Sequence, residues 1–309
     1  MTNRSKIQYF EVMYESTNFG ISVRKLEKMF DDEEQMYYIE IGGRKKCIDI
    51  SVTKNDPKAY ISSFKHHKQC ALGSELASGD NGTIRMLRAA IAFVSKRFPF
   101  VEYYQFRDAS HVRCQLKLHT DLWSLYLAKH RTTWYASKMN ARPDRDEDER
   151  YIRDINRFLD DPGVKAAMPF RQFFDNTVKP ALITDVHLSD KNIDKHEFLS
   201  NLHGRFKPIY EDTLTFRQFC LRLDTEFPRQ CVMFYRWLTD LVKSVSNIPM
   251  ETMDWNIHRD AVPEDINIDI VVTNASSFSK SSSNFNVMNT LNLGSRGGCA
   301  CSTRRMNGK

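Results

Sequence analysis

The stretch Leu76-Ala77-Ser78-Gly79-Asp80-Asn81-Gly82-Thr83-Ile84-Arg85-Met86-Leu87-Arg88 decides how the chain is read. Its first half is a glycine loop. From its second half onward, Ile84, Leu87, Ile91, Val94 and Phe98 recur at offsets 0, 3, 7, 10 and 14, the spacing of one helix face. Phe98-Pro99 ends that run, because a residue before proline is driven out of helical geometry. Upstream, Ala59 to Phe64 reads as a strand opened by Pro57; downstream, Val101 to Phe106 is a short aromatic strand closed by Arg107-Asp108. Strand, glycine loop, helix and strand make a βαβ unit, which predicts two parallel strands joined by a crossover helix.

Working outward toward the N-terminus, residues 7–14 and 20–29 have the length and residue mix of strands. Met36 to Ile41 and Cys47 to Val52 flank Gly42-Gly43 and read as a hairpin. Toward the C-terminus the strand signals nearly stop after Cys114. Helices are predicted over Asp121 to His130, Trp134 to Met139, 150–160, 163–177, 195–202, 213–224 and 229–243. In the last of these Cys231, Tyr235, Leu238 and Val242 share a face, with Pro228 at the first position. The acidic run 144–150 suits the first turn of a helix and reads as solvated. From about residue 273 apolar periodicity is lost, and Ser, Asn and Gly dominate a tail that cannot bury enough surface to offset its ordering entropy. The expected fold class is α+β or α/β: a mixed sheet with a crossover helix over 1–142, a helical region over 143–250, and an extended segment with a basic, disordered tail over 251–309.

Composition bounds the function. The chain has 309 residues, 41% hydrophobic and 27% charged, the balance of a globular protein. The net charge is +6, but residues 273–309 hold Lys280, Arg296, Arg304, Arg305 and Lys309 and no acid, so the body is near +1. A nucleic-acid argument from total charge therefore fails, and the tail, with Lys65 to Lys68, is left as the nucleic-acid candidate. No run approaches the ~18 apolar residues of a membrane span, and the N-terminus has no secretory core. Seven cysteines without paired spacing fit a reducing compartment, which predicts a cytoplasmic or nuclear protein that is not secreted.

The candidate ligand site is the loop Gly79, Asp80, Asn81, Gly82 and Thr83 with Arg85 and Arg88. Loop glycines let backbone amides approach a ligand, and a helix N-terminus favours an anion. The alternative is a plain turn with Thr83 as N-cap. Two arginines near a helix start oppose its dipole by roughly 0.3–1 kcal/mol each, a conflict that a bound anion or a neighbouring carboxylate would relieve. Asp108, Ser110 and His111 follow a βαβ strand and have the residue types for proton transfer, or form a capped turn. Cys114 is a nucleophile if its pKa is lowered, otherwise a buried thiol. Lys65-His66-His67-Lys68 is a phosphate contact or a solvated loop. Trp134-Tyr135 is expected in the core, and Cys299 and Cys301 suit a soft metal, lipidation or cross-linking. No Cys-x-x-Cys or His-x-x-x-His pair supports a metal centre.

Residues 7–114 resemble the GNAT acyltransferase core, in which N-terminal strands lead to a Gln/Arg-x-x-Gly-x-Gly/Ala loop, an amphipathic helix and a strand. The resemblance implies that the loop amides hold the pyrophosphate of acetyl-CoA, and an acyl-CoA N-acyltransferase as one reading. Here the glycines, Gly79 and Gly82, are three apart where that family has two. The family's later strand pair, often carrying a tyrosine that protonates the leaving thiolate, has no visible counterpart beyond Cys114, so no catalytic residue is assigned. Gly82 to Leu87, Phe98-Pro99, Asp108-Ala109-Ser110, Cys114 and Thr133-Trp134-Tyr135 are also similar to an uncharacterised family of the large nucleocytoplasmic DNA viruses. That likeness implies a virus-encoded, non-enzymatic binding or virion-assembly protein with protein partners, located in the infected cell's cytoplasm or nucleus or in the virion.

Overall fold

The computed structural model describes residues 7–26, 35–73, 75–77, 80–107, 111–113, 119–183, 194–227, 237–246, 253–262 and 268–273. The expected tail, Asp108, Ser110, Cys114, Pro228, Cys231, Tyr235, Cys299 and Cys301 lie outside the described residues. The chain divides into two compact units. The first comprises Met1–Ala109, Lys138–Asp144 and Asp254–Lys309, the second Ser110–Ser137 and Arg145–Met253. The chain therefore leaves the first unit and returns to it, which a linear boundary at 143 does not express.

The first unit is built on β1 (Ile7–Tyr14), β2 (Thr17–Leu26), β3 (Met36–Gly42), β4 (Lys46–Thr53), β5 (Lys58–Phe64), α1 (Asp80–Arg97) and β6 (Tyr103–Arg107). It is completed by β9 (Arg142–Pro143), β10 (Asp254–His258) and β11 (Asp269–Thr273). They form one nine-stranded sheet in the order β11-β1-β2-β3-β4-β5-β6-β10-β9. All neighbours are antiparallel except β5 and β6, which pair in parallel through Lys58–Tyr103, Ala59–Tyr104 and Tyr60–Gln105. The crossover helix between parallel strands is thus present, as the glycine loop and the 3.6-residue period require. The expectation that strands nearly stop after Cys114 is corrected by β9, β10 and β11. These are short pieces of two or five residues, below the length at which alternation registers.

Register puts Phe10, Val12, Ile21, Val23, Ile39, Ile41, Ile48, Ile50, Ala59, Ile61, Tyr104, Phe106, Trp255 and Ile257 on one sheet face, and all are buried. α1 packs there through Met86, Leu87, Ala90, Ile91, Phe93 and Val94. Phe93 lies 5.2 Å from Phe10 between ring centroids, and the Tyr104 hydroxyl donates to the Ile91 carbonyl at 3.0 Å. Each such apolar side chain contributes roughly 1.5–3 kcal/mol on burial. The opposite face is polar: Lys46 sits 2.8 Å from both Glu40 and Asp49 and donates to the Tyr38 hydroxyl at 3.1 Å.

The second unit contains a ribbon of β7 (His111–Arg113) and β8 (His119–Asp121), then α2 (Leu122–His130), α3 (Trp134–Met139), whose end enters the first unit, and α4 (Asp146–Asp160). There follow α5 (Pro162–Ala166), α6 (Phe170–Phe173), a π-helical turn Phe174–Val178, α7 (Lys179–Ile183), α8 (Lys195–Glu211), α9 (Phe216–Glu226) and α10 (Trp237–Ser246). The helix expected over 163–177 is interrupted before Pro169, which cannot extend it. Phe173 centres the core: Tyr210 stacks on it at 4.9 Å, and Phe219 and Trp237 meet it edge-on at 5.6 and 5.4 Å. Trp134 and Tyr135 are buried edge-to-face at 5.0 Å, as expected. Within the acidic run expected to be solvated, Asp148 is fully buried and held by Arg145 at 3.0 and 3.1 Å. No described helix is long and apolar enough to cross a membrane.

Candidate functional site

The parallel pair fixes where a ligand site would form: outside the carboxyl ends of β5 and β6, at the start of the crossover helix. Register brings the β1–β2 turn and the β3–β4 turn to the same end of the sheet. The chain leaving β5 crosses that end, where the Leu72 amide donates to the Asn18 carbonyl at 2.7 Å.

The helix begins at Asp80, so Thr83 is its fourth residue and not its cap; it is 2% exposed. Gly79 lies outside the described residues, Asp80 opens the helix and Asn81 is exposed. Gly82 is buried, and a Cβ there would overlap the Ala77 carbonyl oxygen and approach the Leu76 Cγ to 3.1 Å. Glycine serves here for close packing of the helix on its own loop. The same Ala77 carbonyl accepts from the His66 Nε2 at 3.1 Å. Arg85 pairs with Glu15 at 2.7 Å. Arg88 hydrogen-bonds the Tyr14 hydroxyl; burial raises the Tyr14 pKa, and the arginine works against that rise. The electrostatic conflict at the helix start is therefore relieved by a carboxylate of the chain itself. Glu15 and Ser16 form the β1–β2 turn with φ of 43° and 60°, left-handed values that a two-residue hairpin turn demands. Neither Glu15 nor Tyr14 stood out in the sequence, since a Tyr-Glu-Ser-Thr turn lacks the asparagine and glycine that mark such hairpins.

Across the same sheet end the two basic runs meet. Arg44-Lys45-Lys46 follows the Gly42-Gly43 turn, and Lys65 to Lys68 follows β5. The Lys45 amide donates to the Gln69 carbonyl at 3.1 Å and the Lys65 amide to the Cys47 carbonyl at 2.7 Å. A Cβ on Gly43 would overlap the Ala71 carbonyl and come within 2.7 Å of that of Gln69. Cys47 and Cys70 form a disulfide between these segments, with Cα atoms 5.8 Å apart. That bond is a pairing that the dispersed cysteines of the sequence did not signal. Two cysteines 23 positions apart give no spacing signal until the β4–β5 hairpin folds them together. Cys220 is a buried free thiol whose pKa burial pushes up to about 12, which removes it as a nucleophile. Of the Asp108, Ser110 and His111 group only the His111 backbone is described, in β7. No cluster of ligating side chains able to hold a metal occurs among the described residues. No protein-family model, no curated protein and no solved structure matches this chain.

Proposed function

We propose that the chain is a virus-encoded binding or assembly protein that uses an acyltransferase-like sheet without acyl transfer. The observation that carries this reading is that the two arginines at the helix start already have partners within the chain. Glu15 holds Arg85 at 2.7 Å, Tyr14 meets Arg88, and the loop carbonyl of Ala77 closes on Gly82. The pyrophosphate of acetyl-CoA would need those same cations and that same approach to the helix. Kinship of the scaffold is supported by the β5–α1–β6 crossover and by the β10–β9 pair that extends the sheet beside β6, in the place of a later strand pair. Neither Arg142–Pro143 nor Asp254–His258 contains a tyrosine to protonate a leaving thiolate.

Titration calorimetry of the full chain with acetyl-CoA tests the negative half of the proposal. The expected result is no binding up to millimolar ligand, and a micromolar Kd would restore the acyl-CoA N-acyltransferase reading. The assembly half predicts the protein among those found by mass spectrometry of purified virions of the encoding virus. Its absence from the particles would remove that role.

A further inference from the structure

We infer that the strand-end surface formed by Arg44, Lys45, Lys65, His67 and Lys68 is a binding site for the phosphate backbone of a nucleic acid. Two independent observations lead there. The first is charge segregation: residues 42–70 hold seven lysines and arginines against two aspartates, although the body of the protein is near neutrality. Folding sorts these cations further. Lys46 is neutralised by Glu40 and Asp49, and Lys58 by Asp144 at 3.0 Å. Arg44, Lys45 and Lys65 are exposed and have no ion-pairing carboxylate among the described residues, while Lys68 meets only the exposed Glu75 at 3.4 Å.

The second observation is a pair of facing donors. The His67 Nδ1 accepts the Gln69 amide proton at 3.1 Å, so a neutral ring carries its proton on Nε2. That Nε2 lies 3.2 Å from the Lys45 ammonium, which can only donate. In that tautomer the ring N–H and the ammonium converge, and one phosphate oxygen set against both would accept from each. Burial, and then the charge of Lys45, His66 and Lys68, lower the His67 pKa.

The geometry is held in place by the Cys47–Cys70 bond and by the backbone bonds of Lys45 and Lys65, so the donors sit on a fixed frame. A phosphate backbone suits this patch better than a lipid surface does. Neither basic segment contributes an exposed large apolar side chain, which a membrane-binding patch sets beside its cations.

The test is fluorescence anisotropy of a labelled single-stranded oligonucleotide with the oxidised full chain at 50 and 200 mM salt. Three to four phosphate contacts on a single strand predict an affinity that falls roughly 20- to 50-fold between those concentrations. Arg44→Glu with Lys45→Glu should abolish most of the binding, and so, independently, should Lys65→Glu with Lys68→Glu. All four side chains are exposed, and circular dichroism confirms folding. Arg304→Gln with Arg305→Gln in the tail should leave the affinity within about twofold of the parent, since the proposed site does not include them. Binding lost in the tail variant but kept in both patch variants would overturn the inference. So would the absence of binding at 50 mM salt, or capture by phosphatidylserine vesicles without capture of the oligonucleotide.

Discussion

Arg217→Met is the substitution for which the second unit gives the most definite expectation. The Arg217 side chain is 4% exposed and uses its whole donor set. Nε donates to the Asp160 Oδ1 at 2.7 Å, and Nη1 to the Leu127 and Ala128 carbonyls at 2.6 and 2.7 Å. Nη2 reaches the Asn156 Oδ1 at 2.8 Å and the Asp160 Oδ2 at 3.2 Å. It thereby ties the C-terminal end of α2 and the end of α4 to α9. Breaking a buried ion pair commonly costs about 3–5 kcal/mol. Here part of the loss is cushioned. Asp160 keeps Arg131 at 3.0 and 3.2 Å and is one-third exposed, and the Leu127 carbonyl keeps its helical bond from the Arg131 amide. What remains is the orphaned Ala128 carbonyl, the orphaned Asn156 oxygen and the lost charge contact, which places the expected destabilisation at about 3 kcal/mol. Urea unfolding followed by tryptophan emission reads it, since Trp123, Trp134 and Trp237 belong to this unit. The pH dependence is a second reading. Burial would raise the Asp160 carboxyl, but the hydrogen bonds from Arg217 and Arg131 outweigh it and hold the pKa below its ordinary 3.8. A carboxyl depressed on folding contributes stability above its unfolded pKa and loses it as pH falls through the folded one. The gap between parent and variant should therefore narrow only below about pH 4. A destabilisation under ~1 kcal/mol at neutral pH would refute the claim that this guanidinium holds the three helices together.

Three further outcomes are expected. Replacing Cys47 and Cys70 together by serine opens the loop that they close. The chain-entropy relation gives about 3 kcal/mol, measured as a lower urea midpoint of the first unit, and dithiothreitol should produce a comparable shift in the parent. Gly82→Ala adds a Cβ against a backbone carbonyl that no rotamer change can relieve. Its overpacking cost of about 1–3 kcal/mol should exceed the ~1 kcal/mol gained in helix propensity, and a raised melting temperature would contradict that packing. Lys165→Met removes an ammonium that donates to the Tyr210 and Thr213 carbonyls at 2.5 Å and lies 4.0 Å from the Tyr210 ring centroid. Loss of this cation at the end of α8 should cost about 2–4 kcal/mol in urea unfolding, with no change expected in the first unit.

The parts of this fold that were legible in the sequence are those where period and breaker agree. The 3.6-residue recurrence from Ile84 to Phe98, closed by Pro99, gave the crossover helix, and the alternation around Gly42-Gly43 gave β3 and β4. The parallel pairing of β5 with β6 followed from the helix between them. β10 and β11 were not legible as strands because their partners, β6 and β1, lie more than 140 residues away, and five residues carry too little alternation to announce a sheet. α8 runs on to Glu211 through Gly204 and Pro208, where local propensity argues for a stop at about 202. The buried faces of Phe206, Ile209 and Tyr210 outweigh that preference. At the candidate site the helix start, its arginines and the basic run after β5 were visible. Glu15, Tyr14, the second basic run and the cysteine pair were not, because each is defined only by a partner that the sheet brings to it.

The end of the sheet where β5 and β6 finish is thus divided electrostatically. On the α1 side, Glu15 supplies the negative charge that the helix start and Arg85 require. The demand that would make the glycine loop an anion site is met internally, by a side chain held in a left-handed turn. On the β3–β4 side no carboxylate among the described residues pairs with Arg44, Lys45 or Lys65. There Arg44, Lys45 and Lys65 stay in solvent, and the Lys45 ammonium lies 3.2 Å from the His67 Nε2. A chain that needed only stability would gain from an acid at that position, as Lys46 gains from Glu40 and Asp49 one residue further on. Like charges held together by a disulfide and by backbone bonds cost free energy in the unliganded protein. The proposed polyanion would offset that cost by supplying acceptors at the basic turns, whereas at the glycine loop Glu15 already faces Arg85.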